Sequence, residues 1–378
     1  MLIYLLLLVF ICFDFALEYF LNKKEILSKE TRFSRFLNFI FKYRVLTIIV
    51  FVFLSTFRYT TVGGDTKQYY QYYTQLQNNF TYRYKYEIGY KTLNFLLAVV
   101  FRFDFKVLLF LIASFVSIVF MLFINKYSHD KLMSFLLYVM LGVFGQSFGA
   151  VRQIISIAFI IIALFFILDN KLWRGSIFIV IAGLFHVTAF FCLLIIPIKF
   201  IKLNHWWLLG AFIGCCIFSI LLPYILQLIE YVLPRISFYS KYFTKYSKLY
   251  FAKPSLFNSL YSLAMIAIYA VLYLARYKWF KDELENDKAF TYFLTLFTIV
   301  PLIRIAGLLI GIESLLNRLN MYFFFLLIIL IPRFMKCLRK YNHRGWLYGL
   351  AYAGALAYMI LNLTFHNSMQ IAPYIFWF

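Results

Sequence analysis

Residues 107–124 read VLLFLIASFVSIVFMLFI. No face of that run is polar. Wound as an α-helix at about 1.5 Å per residue, it matches the hydrocarbon thickness of a bilayer. A membrane β-strand would alternate polar and apolar residues, and this run does not. Similar segments recur near 1–18, 44–57, 89–101, 132–148, 152–168, 176–200, 206–229, 258–275, 290–311, 315–332 and 345–363. Together they predict an all-α, polytopic integral membrane protein with about ten to twelve transmembrane segments, some broken or partial. No repeat or soluble domain interrupts them, so residues 1–378 read as a single transmembrane domain.

The composition agrees. The 378 residues are 64% hydrophobic and 14% charged, against about 25% charged in soluble domains. The net charge of +22 is spread over many short loops. That pattern fits basic cytoplasmic loops and argues against a nucleic-acid surface. The five cysteines form no C-x-x-C pair and lie near no histidine with metal spacing, so neither a metal nor a cofactor is expected. Residues 1–17 lack a basic n-region and a small-residue cleavage site, so they read as a retained helix.

Lysines and arginines orient the loops. Lys23, Lys24, Lys29, Arg32, Arg35, Lys42 and Arg44 place the first loop in the cytoplasm; the loops 276–288 and 333–344 follow the same rule. The N-terminus, the 58–88 loop and the C-terminal tail are then outside. The loop 230–257 is also assigned outside, against its basic content. Alternation further requires 89–101 to be a partial helix that does not cross, and 176–200 to turn near Gly183 to Thr188.

With this topology, costly side chains gather on the outer side: Arg58, Asp65, Glu87, Arg152, His186, Arg304, Glu313 and Arg318. A charge at membrane depth costs about 2.5–3.5 kcal/mol or more unless it meets a cavity or a partner. Each has a plainer reading. Arg58 and Arg152 can snorkel, His186 can tie two helices together, and Glu313 with Arg318 can be a surface ion pair. The tyrosines of 58–90, Tyr69 and Tyr73 among them, read either as an interfacial belt or as platforms for sugar rings. No P-loop, nucleophile elbow or H-E-x-x-H is present. Arginine forks suit bidentate phosphate contacts, which points to an anionic, phosphorylated, lipid-linked substrate met at the outer face.

Four elements, in order, resemble those of EpsG-type, Wzy-like polysaccharide polymerases. The first is Arg58-x4-Gly63-Gly64-Asp65-x3-Tyr69-x3-Tyr73, followed by Glu87-x-Gly89-Tyr90. Next come Val151-Arg152-Gln153 with Ala158, then Ala182-x2-Phe185-His186-x-Thr188-Ala189, where threonine replaces a serine. Arg318-x3-Tyr322, ending at Pro332, is the last.

The resemblance implies a multi-pass protein of the bacterial cytoplasmic membrane. It would be a glycosyltransferase-type polymerase that joins undecaprenyl-pyrophosphate-linked oligosaccharide repeats at the outer face, for O-antigen, capsule or exopolysaccharide. Fixed arginines would stabilise charge growing on the leaving pyrophosphate; Arg152 and Arg318 are the first candidates and Arg58 the third. Asp65 is the first candidate for the base that takes the acceptor proton, and His186 the second. Glu87, Tyr69, Tyr73, Gln153, Arg304 and Tyr322 are expected to position or contact substrate. An O-antigen ligase would share the donor, and a flippase of lipid-linked sugars would share the ligand, although the internal repeat common in transporters is missing. Whether a chain-length regulator and a flippase accompany the protein stays open.

Asp65→Cys is expected to react with an impermeant thiol reagent added to intact cells. Labelling only after the membrane is opened would reverse the topology.

Overall fold

The computed structural model describes residues 1–28, 31–79, 86–232, 255–310, 313–339, 345–367 and 369–377; the side chains of 222–223, 226–232, 310 and 313–316 lie outside that description. Most of the expected outer loop 230–257 and the side chain of Glu313 therefore fall outside the described residues.

Helices α1 (Leu2–Lys23), α2 (Arg32–Lys42) and α3 (Val45–Thr56) open the chain. They are followed by α4 (Thr66–Asn78), α5 (Ile88–Phe95, continued by a π-turn to Val100) and α6 (Phe105–Tyr127). Next come α7 (Lys131–Met140), α8 (Val143–Gly149), α9 (Val151–Leu168) and α10 (Leu172–Phe185). Further helices span His205–Val232, Leu256–Leu274, Lys288–Phe297, Ile299–Ile310, Glu313–Phe324, Leu327–Arg339 and Gly345–Leu361. Among the described residues there is no strand, only an isolated bridge between Arg58 and Phe376. The chain is an all-α polytopic membrane protein.

Among the described residues, six helices are long and apolar enough to cross a bilayer, or up to nine if each of three bent pairs is one span. The expected partial or broken elements include 88–100, 172–185 and 187–198, which are shorter apolar helices. His186 has extended backbone (φ −153°, ψ 116°) and ends α10, so the run 176–200 is broken inside the predicted turn.

Packing divides the chain, read from sequence as one domain, into two compact units: residues 1–192 with 327–378, and residues 193–326. In the second unit, Tyr269 Oη and Thr298 Oγ1 are 2.9 Å apart, and Tyr273 Oη lies 2.8 Å from His205 Nδ1.

The first unit has two chemically different ends. At one, Lys126 meets Asp169 at 3.4 Å, Arg333 Nε donates to the Tyr127 carbonyl at 2.6 Å, and Arg44 pairs with Glu18. Buried Asp14, one turn before Glu18, accepts a 2.7 Å bond from Thr47. These basic positions belong to the loops that the charge rule assigns to the cytoplasm.

At the other end, the C-terminal tail lies along the turn after α3. Tyr59 N donates to the Ile375 carbonyl at 2.8 Å, Trp377 N to Phe57 O at 2.7 Å, and Gly63 N to Gln370 O at 2.8 Å. Tyr4 at the start of α1 donates to the Ile371 carbonyl at 2.8 Å. Helix α5 keeps to this end throughout. Glu87, before it, meets side chains at the starts of α9 and the 187–194 turn, while the Phe103 carbonyl, after it, accepts a 2.9 Å bond from Tyr73 of α4.

The turn that starts α4 depends on Gly63. Its φ of +99° lies where only glycine is unstrained, and an added Cβ would sit 2.3 Å from the Phe148 carbonyl oxygen. Thr66 Oγ1 donates to that same carbonyl at 2.9 Å, which fixes the start of α4 against the end of α8. Gly63→Ala should cost about 1–3 kcal/mol, read as a lowered melting temperature in detergent. An unchanged melt would mean the turn does not anchor this end.

Candidate active site

Two helix ends are brought together by one hydrogen bond. Ser156 Oγ, one turn into α9 from Arg152, donates 2.8 Å across to the Ala182 carbonyl of α10. Counting one turn back on α9 gives Arg152, and one turn forward on α10 gives His186, so the two arrive side by side. An arginine in the first turn of a helix opposes the macrodipole by about 0.3–1 kcal/mol. Helix stability therefore does not explain Arg152.

Glu87 joins them. It is the residue that precedes α5, yet its carboxylate caps no backbone amide there. Instead Oε2 accepts from Arg152 Nη1, and Oε1 lies 3.0 Å from His186 Nδ1. Val187 N reaches the same Oε1 at 3.5 Å. Gly89 permits the approach, since a Cβ there would sit 2.9 Å from the Leu184 carbonyl.

A carboxylate only accepts, so the hydrogen between Glu87 and His186 is carried on Nδ1. Nε2 of the neutral ring is then a lone-pair acceptor. That atom is buried and has no hydrogen-bond partner among the described residues. A carboxylate, an imidazole oriented by it and an unclaimed Nε2 form the arrangement of a general base with its positioning group.

The arginine is held on three further sides. Arg152 Nε donates to Tyr69 Oη at 3.3 Å, and Tyr69 Oη lies 3.3 Å from Asp65 Oδ2. The guanidinium carbon lies 4.6 Å from the centre of the Tyr86 ring and 5.8 Å from that of Tyr69, both within cation–π range. Tyr69, Tyr86 and Tyr90 interlock with centroids 5.3–5.7 Å apart. Two of the guanidinium's five N–H bonds are used; the rest are unclaimed among the described residues.

Burial by itself would push the Glu87 carboxyl up. The His186 hydrogen bond and the Arg152 charge outweigh it and hold the group down at about 2. Glu87 is thus an anion at every physiological pH.

The structure brings Asp65, Tyr69, Glu87, Arg152 and His186 together. Gln153 is buried next to Arg152 in α9. Tyr69 and Tyr73 are 2% and 0% exposed, so neither ring offers a face to a sugar, contrary to the platform reading. Tyr69 acts through its hydroxyl on Arg152, and Tyr73 through its hydroxyl on Phe103 O. Arg58 is 1% exposed. It bonds the Ser55 carbonyl and lies 5.1 Å from the Phe148 ring centre; it does not join the Arg152 pair. Burial pulls it down to about 10, so it remains a cation.

Arg304, Arg318 and Tyr322 belong to the second unit. Arg304 is buried against Tyr261 at 4.3 Å, Arg318 is exposed, and Tyr322 is buried. Sequence reasoning missed Tyr86 as a partner of Arg152 and Ser156 as the tie between α9 and α10. A small hydroxyl one turn from an arginine in an apolar helix was the available signal for Ser156. Among the described residues no three His, Cys, Asp or Glu side chains converge to hold a metal ion.

A polytopic helical membrane protein with an Arg–Glu–His group at one end is the class these features define. The chain matches the profile of the EpsG family over residues 41–376 and belongs to that family, which is tied to polysaccharide biosynthesis at membranes. Comparison with curated proteins and with solved structures finds no significant match.

Because the Glu87 value is depressed, its contribution to stability is full above the unfolded value near 4.5 and is lost as pH falls toward 2. Glu87→Gln should lower stability at pH 7 by roughly 1–3 kcal/mol, between the exposed and fully buried cases. It should also flatten the acid side of a melting-temperature profile. An unchanged profile would mean that the carboxylate is not paired.

Proposed function

We propose that this protein is a polysaccharide polymerase of a bacterial cytoplasmic membrane, acting at the outer face. It lengthens a glycan by transferring it from lipid pyrophosphate, undecaprenyl pyrophosphate in bacteria, to the next lipid-linked repeat. The observation that carries this reading is the Glu87 carboxylate held between Arg152 and His186 at the end of the first unit opposite the basic loops. Family membership supports the substrate class.

The chemistry uses each group once. An acceptor hydroxyl loses its proton to His186 Nε2 as its oxygen bonds the anomeric carbon of the donor sugar. The bond from that carbon to the pyrophosphate oxygen breaks, and the pyrophosphate leaves with the electron pair. Arg152, with N–H bonds to spare, stabilises that growing charge. Glu87 holds the imidazole in the Nδ1–H tautomer and stabilises the imidazolium once formed. Asp65, first candidate for the base from sequence, is better cast as the group that fixes the Tyr69 hydroxyl, since it is exposed and lies 3.3 Å from it.

The test is the glycan ladder of a host that lacks the gene, complemented with variants. Loss of the gene should collapse a long ladder to one lipid-linked repeat. A ladder that persists on the carrier but never reaches its final acceptor would mean a ligase, and an unchanged profile would remove the enzyme reading. Arg152→Lys should lose most polymer while expressing normally, because an ammonium cannot replace the fork; near-normal polymer from it would remove the pyrophosphate role.

A further inference from the structure

Helix α4 is amphipathic in an uncommon way. Thr66, Tyr69, Tyr72, Tyr73 and Leu76 are buried, and the first two tie the helix to α8 and Arg152. The opposite face is exposed at Lys67, Gln68, Gln71, Gln75, Gln77 and Asn78. An exposed helix normally earns solubility with alternating acids and bases. This face has five side-chain amides, one lysine and no carboxylate.

Tyr70 borders that face, one position round from Tyr69. It is half-buried, and its ring meets Trp377 of the tail at 5.2 Å and 85°. Tyr59, 41% exposed, meets the same indole at 6.2 Å and 77°. Lys106 Nζ lies 5.1 Å from the indole centre. The backbone bonds from Trp377 N to Phe57 O and from Tyr59 N to Ile375 O fix both rings. The result is a corner of three rings continuous with an amide surface that carries one lysine and no carboxylate.

We infer that Tyr59, Tyr70 and Trp377, with the Gln71 and Gln75 amides, form a saccharide subsite that holds the glycan chain beside the Arg152–Glu87–His186 group. This deepens the polymerase reading and rests on it. Sugar rings present apolar C–H faces that pack on aromatics, and hydroxyls that pair with amides both as donors and as acceptors. A neutral polyhydroxylated ligand needs no counter-charge, which fits a surface with so few charges. A lipid headgroup would need one. Helix α4 links subsite and reacting group, because Tyr69 and Tyr70 are consecutive: one bonds Arg152 and the other packs on Trp377. A chain held there would stay near the site between transfers, so the subsite governs product length.

Two measurements test this. In the complemented host, Trp377→Ala and the exposed double variant Gln71→Ala/Gln75→Ala should each shorten the modal chain length by about threefold to tenfold, the range of an aromatic contact. They should still form the first inter-repeat bond, and Trp377→Phe should restore part of the length. In detergent, lipid-free polysaccharide purified from the same host should protect Trp377 and Tyr70 from hydroxyl-radical oxidation. Trp173, 65% exposed on α10, should stay unprotected and serves as control. Wild-type ladders from both alanine variants, with no protection, would overturn the subsite while leaving the polymerase reading intact. Absence of any polymer from the wild-type protein would remove both.

Discussion

One carboxylate organises the end of the first unit opposite the basic loops. Glu87 is a half-buried anion that meets a guanidinium with one oxygen and an imidazole with the other. Without it, Arg152 and His186 would be a cation and a possible cation side by side in a poorly solvated site, and each would repel the other. With it, the arginine is aimed, the imidazole tautomer is set, and Nε2 is left as the acceptor. The neighbouring structure follows from this need. Gly89 lets the chain carrying Glu87 approach α10, Ser156 clamps α9 to α10, and Gly63 lets the turn before α4 seat against α8.

The scaffold separates strong electrostatics from the apolar core. Basic residues of the first unit pair at one end, where Lys126, Arg333 and Arg44 find acids or carbonyls. Arg58, at the other end, is packed between the Ser55 carbonyl and the Phe148 ring, and its backbone bridges to Phe376 of the tail. Backbone bonds of Phe57 and Tyr59, on either side of Arg58, fix the tail in register. Tail, α4 and α5 together form a polar, aromatic layer over the apolar helices, and the candidate chemistry sits within that layer.

Much of this was legible in the sequence. The uniformly apolar runs fixed the helical class, because they lack the alternation of a barrel strand and leave the helix as the backbone satisfied in lipid. The short run 89–101, closed by Arg102 and Asp104, and the break at His186 were visible as conflicts with charge alternation. Arg152 and His186 stood out because each is costly in an apolar segment. Other features were not legible. Hydropathy does not show where a helix bends, as at Gly142, so the run 132–148 hides the break between α7 and α8. Tyr69 and Tyr73 read either as an interfacial belt or as sugar platforms because tyrosine suits both core and surface, and only packing assigns them to the core. Glu87 was read as a positioning group from its motif, but its bridging role needs three segments distant in sequence. Trp377 carried no signal, because its partners Tyr59 and Tyr70 meet it only through the folded tail.

The central claim is that Glu87 acts through His186. A double-mutant cycle on reconstituted protein tests it most directly, with single-turnover transfer from a purified lipid-linked repeat as the readout. The account predicts that His186→Ala and Glu87→Gln each slow transfer strongly, and that the double variant is little worse than His186→Ala alone. Losses that multiply independently would show that the two residues do separate work, and would contradict it.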